Sequence, residues 1–181
     1  MHPNSPSDVW VFGYGSLIFR AGFRFVERKI ARLPGFSRRF WQSSPDHRGT
    51  PEAPGRVVTL IENASASVLG VAYRIAREDS DAVLAALDER ERAGYERICV
   101  EVEFVAAPFG SVTAVVYQAR AKNPGYVADN DEASIARIAR SASGPSGDNA
   151  SYVRRLAQAL REIGEEDPHV FEIERLLADT R

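Results

Sequence analysis

Val9-Trp10-Val11-Phe12-Gly13-Tyr14-Gly15-Ser16-Leu17-Ile18 is the stretch on which the reading of this chain turns. A short apolar run of β type stops at two glycines one residue apart, which predicts a strand ending in a tight turn. Glycine lets successive backbone N–H groups point into one concavity, and such a nest binds anions without a cationic side chain. No Gly-Lys-Ser/Thr follows, so the turn is not a P-loop. It has no third glycine and opens no helical pattern, so it is not a dinucleotide fingerprint either. A substrate carboxylate fits it better than a nucleotide phosphate. Taken alone, the motif also reads as a plain glycine turn with no ligand.

Working outward, further strands are expected at 27–33, 37–43, 56–62, 67–76, 95–105 and 111–119, after a first at 8–13. The clearest alternation places Ile98, Val100, Val102 and Phe104 on one face and Cys99, Glu101 and Glu103 on the other. Gly110 then turns the chain into Val112–Tyr117, so 95–119 reads as a hairpin with a longer loop. The stretch 39–55 is rich in Pro, Ser and Gly and reads as a long, functional or mobile loop. Helix signals follow. Asp79 or Ser80 can cap a helix running to about Arg92 with Gly94 just beyond it, and Asp129 or Asn130 begins another to about Ser141. Asp148 caps a third, whose stripe is Tyr152, Val153, Leu156, Ala157, Leu160 and Ile163, ended by Gly164. Asp167-Pro168 starts a fourth. Strands first and helices later indicate an α+β domain, and seven strands suggest a small closed β-barrel flanked by helices.

The bulk composition narrows the function. With 181 residues, 44% hydrophobic and 27% charged, the chain can bury a sizeable core, and disorder is not the default. Residues 1–7 read as a disordered N-terminal end without signal-peptide character, and 8–181 as a single domain. The net charge of −2 gives no basic stripe for nucleic acid. No run approaches the ~18 apolar residues of a membrane span. One cysteine, Cys99, precludes an internal disulfide and fits a reducing cytoplasm.

The segment Leu84–Tyr95 contains a charge cluster, Asp88-Glu89-Arg90-Glu91-Arg92, that would ordinarily be a solvated helix face. Helical geometry separates its members. Glu91 lies seven residues after Leu84 and four after Leu87, so it shares their apolar stripe, while Glu89, Arg90 and Arg92 fall well off it. Asp88 sits close to that line and is a reserve candidate. Burial and the negative end of the helix dipole would both raise a carboxyl pKa there, which suits a proton-transfer group. An ion pair beneath a barrel rim is the competing reading. Ser43, Ser44, Asp46 and His47 have the residue types of a hydrolase triad, but loop neighbours rarely converge and no G-x-S-x-G elbow is present. His2, His47 and His169 share no ligand spacing with one another or with Cys99, so no metal site is indicated. Arg38-Arg39-Phe40-Trp41 reads as a strand edge.

Five segments together resemble one family. Val9–Ile18, Phe40–Leu60, Leu87–Glu96, Asn123-Pro124-Gly125-Tyr126, and Gly144–Tyr152 continuing through Asp167–Val170 are similar, in order, to the ChaC-type γ-glutamylcyclotransferases. The resemblance implies a γ-glutamylcyclotransferase-like barrel that cleaves glutathione into 5-oxoproline and cysteinylglycine, with no metal or organic cofactor. It makes Tyr14, Gly15, Ser16, Leu17, Ile18 and Phe19 the substrate loop and Glu91 the catalytic glutamate. Phe19 stands where the family often has tryptophan, and Arg92-Ala93 where a Lys/Gly-type pair is common; both bear on substrate preference. No obligate protein partner is implied. Two alternatives stay open: a cyclotransferase acting on other γ-glutamyl amino acids or amines, and a non-catalytic regulatory or binding protein on the same fold. Arg56 and Arg90 are both candidates to assist at the substrate.

Overall fold

A computed structural model of the protein describes residues 8–92, 94–128 and 131–179. The expected N-terminal end, 1–7, lies outside them. Five strands, β1 (Val9–Gly13), β2 (Glu27–Ser44), β3 (Gly55–Ile75), β4 (Tyr95–Phe104) and β5 (Ser111–Ala119), close into a barrel in the order β1-β3-β2-β4-β5. All neighbours are antiparallel except β5 and β1, which close the barrel in parallel. The fold is thus the expected α+β class with a mixed closed barrel, built from five strands rather than seven.

Two expected pairs of strands are each one long, bent strand. Runs 27–33 and 37–43 merge into β2, and 56–62 and 67–76 into β3. A flat strand of 18 residues would extend about 60 Å, so the ribbon must bend to stay in a small barrel. It does so where the register shifts between Pro34 and Phe36 and again between Arg39 and Gln42. Gly35, at φ +81°, makes the first bulge possible. Pro, Gly and Asn punctuate bulges and turns alike, which is why these bends read as chain breaks. The long loop shrinks accordingly, since β2 runs to Ser44 and only 45–54 is irregular.

Helix α1 (Arg77–Arg90) links β3 to β4, while α2 (Glu132–Ser141), α3 (Asn149–Glu162) and α4 (Pro168–Ala178) pack on one another and on β2 and β3. Asp148 and Asp167 cap α3 and α4 as expected, through bonds from the N–H groups of Ser151 and Val170. The other two starts differ. Helix α1 begins three or four residues earlier, on Ala76 without a side-chain cap, and Glu78 and Asp79 sit in its first turn, where they complement the dipole. Helix α2 is capped by Asp131; Asp129 and Asn130 lie outside the described residues. Between α2 and α3 a tiny hairpin, β6 (Ser143–Gly144) and β7 (Gly147–Asp148), takes up the Gly-Pro-Ser-Gly sequence. One apolar cluster runs from the barrel interior into the helical layer.

The side chains of β2 that alternate inward, Arg38, Phe40, Gln42 and Ser44, are buried, so Arg38 is not an edge residue. Its guanidinium is satisfied on every side. Nε donates to the Tyr14 carbonyl at 2.7 Å, Nη2 to the Leu69 carbonyl at 2.6 Å, and Nη1 to Asp167 Oδ2 at 2.7 Å. Asp167 in turn caps α4 through Oδ1. His169, two residues further on, accepts from the Phe40 N–H through Nε2 and meets Glu132 through Nδ1 at 2.9 Å. With Nε2 accepting, Nδ1 carries the proton; burial lowers the imidazole pKa and keeps it neutral. This histidine is a packing element, away from the pocket.

Arg38→Met strands Asp167 as an unpaired buried carboxylate and frees two carbonyls. The expected loss is about 3–5 kcal/mol, typical of breaking a buried pair, read as a lower urea midpoint at unchanged slope. A loss under about 1 kcal/mol, the value of a surface pair, would show that Arg38 is not the tie it is described to be.

Candidate active site

Past β1 the chain enters a short 3₁₀ turn, Ser16–Ile18, beside a cavity of about 380 Å³. That volume is within the range of small-molecule sites. The turn spends some of its own hydrogen bonds. The N–H of Ile18 donates to the Gly15 carbonyl, and those of Phe19 and Arg20 to the Ser16 carbonyl. The carbonyls of Tyr14 and Leu17 are held by Arg38 and by the Tyr73 hydroxyl, the latter at 2.7 Å. The N–H groups of Gly15, Ser16 and Leu17 have no protein acceptor among the described residues. Glycine is required sterically. A Cβ on Gly15 would meet Val58 at 2.9 Å, and one on Gly13 would meet the Leu17 Cβ at 2.5 Å.

Glu91 closes the opposite side. It is the residue on which α1 stops, its N–H still bonded to the Leu87 carbonyl at 2.9 Å. Its side chain is 19% exposed and lines the cavity. Burial raises the carboxyl pKa above its ordinary value, an effect opposed by the Arg90 and His47 charges and reinforced by Asp46. Arg90 connects the two halves of the site. Its Nη2 donates to the Ser16 hydroxyl at 2.6 Å and its Nε lies 3.3 Å from Glu91 Oε1. Of the two arginines considered, Arg90 lines the cavity and Arg56 does not. Asp88 is elsewhere: 47% exposed, it accepts from the Tyr117 hydroxyl at 2.6 Å and pairs with Arg97.

Two buttresses fix the chain around Glu91. After it the backbone reverses at Gly94, φ +97°, against Asn123, whose side-chain atoms would lie 2.7 Å from any Cβ placed there. Asn123 is itself tied to Gln42 Oε1 at 3.1 Å and to the Gly125 N–H at 2.7 Å. The Asn-Pro-Gly-Tyr segment is therefore the backing of the Glu91 turn. On the other side, His47 Nε2 donates to the Arg90 carbonyl at 3.3 Å, and its Nδ1 meets the Ser146 hydroxyl at 3.2 Å. The Ser44 hydroxyl accepts from the Arg48 N–H. Ser43, Ser44, Asp46 and His47 thus border the cavity without forming a triad; they anchor loop 45–54 to the end of α1 and to the β6–β7 hairpin.

The cavity collects Tyr14, Gly15, Ser16, Leu17 and Phe19, whereas Ile18 points into the core. Tyr14 is buried, its hydroxyl donating to the Tyr117 carbonyl at 2.6 Å. Sequence reading missed Tyr95, Tyr152, Arg20, Arg48 and Arg155. Tyr152 belonged to an apolar helical stripe that gave no hint of a cavity, and its phenol is pushed by burial to about 12. Tyr95 donates to the Val58 carbonyl at 2.7 Å. Among the described residues no three His, Cys, Asp or Glu side chains converge as metal ligands, and no helix is long and apolar enough to cross a membrane.

A closed mixed barrel with a glycine turn facing a half-buried glutamate is the γ-glutamylcyclotransferase-like architecture, and the chain belongs to the ChaC-like protein family, which matches residues 9–180. It is 38% identical to human glutathione-specific γ-glutamylcyclotransferase 1 over 161 residues, covering 88% of this chain and 72% of that protein. The zebrafish counterpart is 37% identical over 178 residues, covering 96% and 91%. A crystal structure of the yeast γ-glutamyl cyclotransferase specific to glutathione superposes with a TM-score of 0.88 at 29% identity, covering 94% of this chain and 96% of the yeast chain.

Since Arg90 holds the Glu91 pKa down against burial, Arg90→Met is expected to raise it further. Titration of ¹³C-labelled glutamate carboxyls by NMR reads the shift directly. An unchanged or lower value would mean that Arg90 is not Glu91's electrostatic partner.

Proposed function

We propose that this protein cleaves glutathione to 5-oxoproline and cysteinylglycine, with Glu91 moving the proton. The γ-glutamyl group carries its own nucleophile. Its α-amine forms a bond to the γ-carbonyl carbon, the amide bond to the cysteinyl nitrogen breaks, and the product ring is a five-membered lactam. No water is consumed and no cofactor is needed. What remains for the protein is to fold the substrate onto itself, and effective molarities for such reactions are worth about 7–11 kcal/mol.

The roles follow from the chemistry. The amides of Gly15, Ser16 and Leu17 hold the anionic head of the substrate and polarise its carbonyl as charge develops on oxygen. Ile18 and Phe19, whose amides are committed to the turn, support the loop by packing. Glu91, ionised, takes the proton that the α-ammonium must lose before attack, and then gives a proton to the departing amine. A carboxyl of ordinary pKa would be a weak base and almost never protonated at neutral pH; burial brings it nearer to working at both steps. The observation that carries this reading is that a largely buried carboxyl and three amides without protein acceptors line one small cavity. A glutathione substrate and a single thiol, Cys99, support a reducing compartment such as the cytoplasm.

Glu91→Gln keeps the shape and removes the base. Release of 5-oxoproline from glutathione, followed by mass spectrometry with a chelator present, is expected to fall by about 10²–10⁴; turnover within a few-fold of the parent would exclude the role. The same variant is expected to melt no lower than the parent at pH 7. A group whose folded pKa is raised opposes folding once it is ionised, and glutamine cannot ionise. In the parent, kcat/KM is expected to decline on the acid side through an apparent pKa above that of an ordinary glutamate, because protonation removes the base.

A further inference from the structure

Three arginines from three separate segments reach the cavity and have no place in the roles above. Arg20 follows the glycine turn, Arg48 lies in loop 45–54, and Arg155 is on α3. None has a carboxylate within ion-pair distance among the described residues. Arg48 is partly buried, stacked with its guanidinium carbon 5.1 Å from the Tyr152 ring centroid, and among the described residues its guanidinium has one acceptor, the Asp148 carbonyl at 3.4 Å. The Asp148 carboxylate is already occupied by the Ser151 N–H and hydroxyl, both at 2.7 Å. Burial lowers the Arg48 pKa, and the like charges of Arg155 and Arg20 act in the same direction, against the opposing influence of Tyr152 and the Asp148 carboxylate. The charges that act on Glu91 form a different set: Arg90, His47 and Asp46. The cavity therefore has a proton-handling end at Glu91 and a cationic end at Arg48, where two further arginines outnumber one acidic neighbour, Asp148.

We propose that the Arg48–Arg155–Arg20 end binds the terminal carboxylate of the leaving dipeptide, so that the site selects γ-glutamyl peptides whose free carboxylate lies two residues beyond the bond that breaks. This rests on the activity proposed above and specifies its substrate. In glutathione the γ-glutamyl carboxylate and amine are taken up at the amide nest and Glu91. The glycine carboxylate is then the remaining charge, and two residues of chain carry it up to about 7 Å from the scissile amide. A guanidinium presents paired N–H donors to a carboxylate, and charge-assisted bonds of this kind are strong in a partly desolvated site. γ-Glutamyl amino acids bring the carboxylate half that distance, and γ-glutamyl amines bring none.

The test compares glutathione with its glycine carboxamide, which has the same shape without the terminal charge. The parent is expected to favour glutathione by about 10- to 100-fold in kcat/KM. Arg48→Met should collapse that ratio towards one by lowering the value for glutathione while leaving that for the carboxamide. The exposed Arg155→Met, with little to lose in packing, should shift the ratio in the same direction by a smaller factor. If both substrates fall together in Arg48→Met, or the ratio survives in both variants, the cationic end does not read the carboxylate. Calorimetric binding of the two compounds to Glu91→Gln separates this inference from the activity itself. Should the parent release no 5-oxoproline from either compound, the activity fails. A preference for glutathione in binding then still supports the carboxylate site, and equal or absent binding overturns it.

Discussion

The buried guanidinium of Arg38 is the constraint on which the other parts of this molecule depend. One planar group of fixed geometry is bonded to the backbone of the glycine turn at Tyr14, to β3 at Leu69, and to the residue that caps α4. Each partner belongs to a different layer, so the position of the turn relative to barrel and helices is set from inside the protein. Replacing such a charge with a smaller or apolar group removes all three ties at once, because the partners left behind are themselves buried polar groups. Glu165, which accepts from the Leu69 N–H through its carboxylate, pins the same point of β3 to the chain between α3 and α4. Asn149 does the equivalent further along, its amide pairing with both backbone groups of Arg56 at 2.6 and 2.8 Å.

A rigid frame of this kind allows the site to hold unfavourable features. A carboxyl sits where burial opposes its ionisation, three amides lack protein acceptors among the described residues, and three arginines line the same cavity with no ion pair to a described carboxylate. Each costs stability in the free protein, and each is relieved by an anionic, basic-amine ligand in the proposed role. Phe40, Phe19 and Tyr152 in edge contact supply apolar packing beside these groups. The proposed chemistry needs little beyond this, since the substrate contains both reacting groups.

The five sequence segments that resemble the ChaC-type enzymes acquire a physical explanation in the fold. Val9–Ile18 is the strand and turn that present the amides. Leu87–Glu96 delivers Glu91 and the Gly94 reversal, and Asn123–Tyr126 supports that reversal. The 40–60 stretch and the 144–152 stretch are two sides of one contact, in which the Ser146 N–H donates to the His47 carbonyl at 3.0 Å and Gly144 packs its bare backbone against Gly49. Only some of these residues touch the cavity. The remainder are fixed by close backbone approaches that a larger side chain would prevent.

Local sequence was enough to determine the elements whose character is periodic: the alternating β4, the amphipathic α3, and the Asp-capped starts of α3 and α4. It also determined that Glu91 shares a stripe with Leu84 and Leu87, because three or four residues always return to the same side of a helix. Tertiary structure alone decided whether Pro34-Gly35 ends a strand or bends one, since a bulge and a turn use the same residues and differ only in what lies across the ladder. It decided that Arg38 is interior while Asp88 is at the surface, because the partners that make a buried charge tolerable come from positions as far away as 167. It gathered Arg20, Arg48 and Arg155 around one end of a cavity, an arrangement with no period or spacing along the chain. Such convergence depends on barrel closure and helix docking, which are long-range contacts that no local window of sequence contains.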